Sequence, residues 1–133
     1  MTDRATEWDR SHLWCFRAQL LSVTDGDTCI VLADTGFRGR HEVKIRLEDV
    51  WAPELKLPGG DLAKSRLEHI LMSGDSTTPW PLRVITTQRE TVVSEVMSFE
   101  RYVAHLAIIE PGTYILKDVA EMMADYGYGN PDA

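Results

Sequence analysis

The sequence predicts a mainly β, α+β domain: a five-stranded Greek-key barrel with two or three helices. Three observations predict it. Three β-like runs joined by turn signals occupy residues 13–50, an amphipathic helical run follows, and two more β-like runs precede a last helical run that ends in glycine. A meander of three strands with a helix inserted before two more is the arrangement of the OB type, although an open α+β sheet fits the same order.

Taken in order, residues 1–12 are polar and read as a flexible N-terminal segment, with the barrel domain over 13–129. Leu13–Val23 (LWCFRAQLLSV) has the aromatic and aliphatic content of a strand. Thr24-Asp25-Gly26-Asp27 is a turn, and Thr28–Ala33 returns. Pairing Val23 with Thr28 puts Ser22 opposite Cys29 and leaves Cys15 too far down the strand to bridge. Asp34–Arg40 is a second turn. His41–Val50 then alternates, with Val43, Ile45 and Leu47 on one face and Lys44, Arg46 and Glu48 on the other. Ala52-Pro53 ends that strand. Asp61 is the expected N-cap of a helix whose apolar stripe is Leu62, Leu67, Ile70 and Leu71. Leu82–Thr87 and Arg101–Ile109 read as strands, with Val92–Met97 continuing or pairing with the first of them. Ile115–Tyr126 has helical spacing at Ile115, Val119, Met122 and Met123, and Gly127 stops it.

The chain has 133 residues, enough for one domain, and its 14 basic against 21 acidic residues give a net charge of −7. That balance excludes a protein that holds nucleic acid by bulk charge, but leaves room for a local positive site. Bases concentrate at Arg38, Arg40, Lys44 and Arg46, interrupted by Glu42 alone. No apolar run reaches the roughly 18 residues of a membrane span, and the start lacks a signal-peptide pattern, so a cytoplasmic protein without membrane contact is expected. Cys15 and Cys29 are too few for a disulfide framework or a zinc site alone and read as buried reduced thiols.

Asp25 and Asp27 place two carboxylates within three residues, hard oxygen ligands suited to Ca²⁺ or Mg²⁺. The same turn is equally explained by an aspartate capping its own backbone. Arg46 in mid-strand, Glu54 after Pro53 and Arg101 at the start of an apolar strand are each ordinary by themselves.

Together they are not. VTDGDT, then RLEDVWAPE, then SFERYVAHLAI and a final helix ending in glycine resemble the staphylococcal nuclease-like (thermonuclease) family, over about Trp14 to Gly127. The resemblance implies an OB barrel and Ca²⁺-dependent hydrolysis of DNA and RNA phosphodiesters, with single-stranded DNA or RNA as partner. It implies that Asp27 binds the metal beside Asp25, with the backbone carbonyl of Ala52 as a further ligand. Arg46 and Arg101 match the arginines that grip the scissile phosphate, and Glu54 the glutamate that positions or deprotonates water. The chemistry suits those groups: guanidinium donors match two phosphate oxygens at once, and fixed positive charge stabilises the charge that builds up during attack.

One position departs from the family pattern. Trp51 stands where the family has a second metal-binding aspartate, three residues before the glutamate. Indole only donates, whereas Ca²⁺ takes roughly six to eight oxygens, so reduced metal affinity is expected. Three outcomes stay open. Asp49 reaches the site; or Asp27, Asp25, Glu54 and waters hold a weaker ion, Ca²⁺ or Mg²⁺; or the chain is a catalytically degenerate module. Such a module binds nucleic acid through Arg46 and Arg101, with Trp51 stacking on a base or sugar, or binds a protein partner. Phe99, two residues before Arg101, keeps the aromatic character that the family's best-known member has there and is a further substrate-contact candidate.

Overall fold

In the computed structural model, which describes residues 14–86 and 101–131, three strands form the expected meander. They are β1 (Trp14–Asp25), β2 (Thr28–Gly36) and β3 (Gly39–Leu47). The expected N-terminal segment and the run Val92–Met97 lie outside the described residues. Alternation sorts the meander as expected on β3: Ile45 and Leu47 are buried and Val43 is packed against the core, while Lys44 and Arg46 take the other face.

Three details differ from the sequence-based expectation. The β2–β3 connection shrinks to two residues, Phe37 and Arg38, with left-handed φ of 54° and 63°, the mirror-image turn whose twist matches its flanking strands. In the first hairpin the register slips by one, with Val23 opposite Cys29 and Asp25 opposite Thr28, because an irregularity at Thr24 drops one residue from the ladder. Cys15 is exposed where a buried thiol was expected. The two-residue period that turns Ala18 inward puts Cys15 and Arg17 on the outer face. Both cysteines are free, and burial pushes the Cys29 thiol up to about 12.

Helix α1 (Gly60–Leu71) follows, burying Ala63, Leu67, Ile70 and Leu71. Leu62 falls off this stripe and is exposed. The N-cap is Gly59 at φ 82°, not Asp61, which sits in the first turn where its charge favours the helix dipole. Strands β4 (Leu82–Thr86) and β5 (Arg101–Ile109) complete the sheet. β4 pairs antiparallel with β1 and β5, and β5 pairs parallel with β3. That last pairing closes the order β3-β2-β1-β4-β5 into a five-stranded barrel, a mostly β, OB-fold-like α+β architecture.

A short β6 (Leu116–Asp118) adds to β5 outside the barrel and leads into α2 (Val119–Asp125). The helix expected from Ile115 thus begins four residues later. Asp118 accepts the Ala120 N–H at 3.0 Å from an extended backbone, and that cap sets the start. Gly127 at φ 95° ends the helical segment as expected. Inside the barrel Val31, Ile45, Leu47, Leu82 and Leu106 are almost fully buried, with Leu67 and Ile70 of α1 and Met123 of α2 in the same core. Among the described residues no helix is long and apolar enough to cross a membrane.

Candidate functional site

The turn between β1 and β2 is seated by its glycine. A Cβ on Gly26 would lie 2.6 Å from the Ala63 Cβ of α1 and 2.7 Å from that of Ala52. Only a residue without a side chain allows this approach, and it brings Ala52 alongside the turn that carries Asp25 and Asp27. The Asp27 N–H donates to Asp25 Oδ1 at 3.1 Å, so the aspartate also caps its own turn.

Asp27 is then clamped from the neighbouring strands. Thr28 Oγ1 donates to Asp27 Oδ1 at 2.9 Å, Arg46 Nη2 lies 3.5 Å from Oδ2, and the Asp27 carbonyl accepts the Leu47 N–H at 2.8 Å. Thr28 and Arg46 are direct cross-strand partners, which is why both reach the same carboxylate. Arg46 Nη1 also donates to the Leu47 carbonyl. Burial, and then the hydrogen bond with the Asp25 side chain, push the Asp27 carboxyl up to about 6, with Arg46 opposing them.

This raised value has a consequence for stability. The folded chain holds the Asp27 proton more tightly than an unfolded chain, whose aspartates titrate near 3.8. The resulting stabilisation is complete below that value and is lost as pH rises through about 6. Urea unfolding in chelator should therefore show wild type losing stability between about pH 4 and pH 7 relative to Asp27→Asn, which removes the titration.

Glu54 lies in the loop that follows Ala52. The Leu57 N–H donates to the Glu54 carbonyl at 2.9 Å, and a Cβ on Gly60 would lie 2.1 Å from that oxygen. The loop is thus folded tightly onto the start of α1. The Glu54 side chain is exposed and makes no hydrogen bond or ion pair with another described residue.

Trp51 is 54% exposed, and its N–H donates to the Tyr128 carbonyl at 2.8 Å, next to a bridge between Val50 and Gly129. Asp49 does not join the turn. It lies beyond the end of β3 at Leu47 and takes φ 64°, and Asn130 Nδ2 lies 3.4 Å from its Oδ1.

The backbone of Arg101 pairs with Lys44 at the start of β5, and Val103 is the residue opposite Arg46. The side chain of Arg101, and all of Phe99, lie outside the described residues. The structure therefore brings together Asp25, Asp27, Thr28 and Arg46, places Ala52 beside them, and puts Glu54 in the adjoining loop.

For a metal, the donors are two carboxylates and nearby carbonyl groups; among the described residues no three of His, Cys, Asp and Glu cluster. This fits a hydrated divalent ion shared with a phosphate, as Mg²⁺ is commonly bound, and is too thin for an all-protein Ca²⁺ cage. Thr28, Gly26 and Gly60 shape this place; the DGDT motif contains the first two, and Gly60 was not singled out by the sequence. Thr28 was legible as the neighbour of the paired aspartates, whereas Gly26 depends on contacts with Ala52 and Ala63, distant in sequence, and Gly60 on the tight fold of the loop that starts at Glu54. Neither a protein-family model nor a curated protein matches the chain.

Proposed function

We propose that this protein is a divalent-ion-dependent phosphodiesterase of the thermonuclease type, acting on single-stranded DNA or RNA in the cytoplasm. The observation that carries this reading is the part-buried Asp27, with its raised pKa, held between Asp25, Thr28 and Arg46 at one end of a barrel. The DGDT and RLEDVWAPE motifs support it, since their residues meet at this place.

Asp27 and Asp25 would hold the ion, with the Ala52 carbonyl as a further ligand. The bound ion supplies charge neutralisation on the phosphate oxygens. Arg46 uses two of its donors on Asp27 and Leu47 and keeps others for a non-bridging oxygen. Arg101 supplies the second guanidinium from the strand beside β3. Glu54, exposed and unpaired among the described residues, takes the proton of the attacking water or orients it. Trp51 and Phe99 contact the sugar or base.

The test is cleavage of single-stranded DNA with Ca²⁺ or Mg²⁺. Glu54→Gln should lower the rate by about 10²- to 10⁴-fold, the range for loss of a general base, with little change in melting temperature. Equal rates in wild type and variant would overturn the assignment. Trp51 favours a second reading, in which the chain keeps the phosphate grip as a degenerate binding module without turnover. Robust cleavage by the unmodified protein would exclude that reading.

A further inference from the structure

We propose that the end of the barrel remote from the Asp25–Asp27 turn is a second contact surface for single-stranded nucleic acid, with Arg17, Arg38, Arg40 and Arg83 on the phosphates and Phe37 stacking on a base. Along β1, Arg17 lies eight residue steps before Asp25, roughly 26 Å at about 3.3 Å per residue. The surface is therefore distinct from the hydrolytic site, and it stands whether or not hydrolysis occurs there.

An open cleft of about 530 Å³ lies here across β1, β2 and β4, lined by Cys15, Arg17, Asp34, Thr35, Gly36 and Arg83 among others. Arg17 and Arg83 sit directly opposite each other on neighbouring strands. Like charges so placed are unfavourable without a counter-ion, so their pairing gains nothing for the fold. Asp34 answers only one of them, at 2.7 Å from Arg17 Nε. The Gly36 N–H and Arg17 hold the Asp34 carboxyl below its usual range, so it stays charged. Arg83 is half-buried; its Nη1 donates to the Trp80 and Leu82 carbonyls at 2.9 Å each, and no described carboxylate pairs with it. Arg40, cross-strand from Asp34, lies with its guanidinium 5.3 Å from the Trp80 ring centroid, and that of Arg17 lies 5.0 Å from it. Glu42 is the next acid along β3. In a chain of net charge −7, the guanidinium groups of Arg17, Arg40 and Arg83 near one carboxylate, with Arg38 at the adjoining hairpin tip, form a local positive face.

The hairpin tip supplies the aromatic group. Phe37 is fully exposed at φ 54° and Arg38 follows at φ 63°. Asn-Gly or Gly-Gly fills such a turn without strain, whereas a bulky residue there is an outlier. A phenyl ring that buries nothing and strains its backbone contributes nothing to folding. Carboxylates of an acidic peptide would satisfy the arginines but not the ring, while a base on Phe37 and phosphates on the guanidiniums use both.

The test is fluorescence anisotropy with a labelled single strand of about 15 nucleotides, near the upper end of OB-fold site sizes. Chelator is present throughout, so no hydrolysis contributes and failure of the nuclease reading would leave the result intact. Phe37→Gly and Arg38→Glu should each weaken binding roughly tenfold. Phe37→Gly should melt no lower than wild type, because glycine adopts that φ freely. Equal binding by both variants, no binding by wild type, or equal displacement by poly-glutamate would each overturn the proposal, the last by assigning the face to an acidic protein.

Discussion

Arg46→Ala is expected to lower phosphodiester cleavage by about 10²- to 10³-fold, the range for loss of one preorganised donor at a developing charge. Two effects combine at this residue. The guanidinium is lost from the phosphate, and Asp27 loses the one described cation within ion-pair distance, at 3.5 Å. Arg46 opposes the burial that lifts the Asp27 pKa to about 6, so its removal raises that value further. More Asp27 is then protonated at neutral pH, and a protonated carboxyl is a poor metal ligand. The variant should therefore regain part of its activity as pH rises, a displacement visible in the pH profile of kcat/KM. Arg46→Lys should fall between the two, keeping the charge and losing the planar fork. A uniform loss at all pH values would mean that Arg46 acts on the phosphate alone.

Trp51→Asp is expected to change the protein in the opposite direction, raising Ca²⁺ affinity about 10- to 100-fold and the cleavage rate with it. The side chain is half-exposed, so its removal takes little packing from the core. Its backbone stays tied through the N–H donated to Tyr128, a bond that does not depend on the side chain. The neighbouring Ala52 is already seated against Gly26, so position 51 is one residue from a contact with the turn that carries the two carboxylates. Calorimetric titration of Ca²⁺ into both proteins measures the gain. Unchanged affinity and rate would show that position 51 does not face the ion, and would remove the explanation offered for a weak site.

What the sequence made legible, and what it did not, follows the range of the interactions involved. The period-two pattern of Val43, Ile45 and Leu47 specifies which face of β3 meets the core, and the apolar run Arg101–Ile109 has the bounds of β5. Local chemistry also marks Asp25, Asp27 and Arg46, because a turn and its cross-strand partner are set by short loops. The first-hairpin register was not legible, since the irregularity at Thr24 accompanies a Gly26 seated against a helix much later in the chain. Leu116–Asp118 falls in a run of helical spacing but pairs with β5, an edge that composition does not reveal. The left-handed φ of Asp49 and its contact with Asn130 have no local signal, and the tight seat of Glu54 on Gly60 depends on the fold around α1. The stacking of Arg17 and Arg40 on Trp80 joins three remote segments and has no local signal at all.

A divalent ion and a phosphate are expected to share the end of the barrel where Asp27 and Arg46 meet. A crystal structure of the protein soaked with Ca²⁺ and a nucleoside bisphosphate tests it most directly. The expected result is an ion at about 2.3–2.6 Å from an Asp27 carboxylate oxygen, with a phosphate against the Arg46 guanidinium. A nucleotide bound elsewhere on the barrel, with no ion beside Asp27, would contradict it.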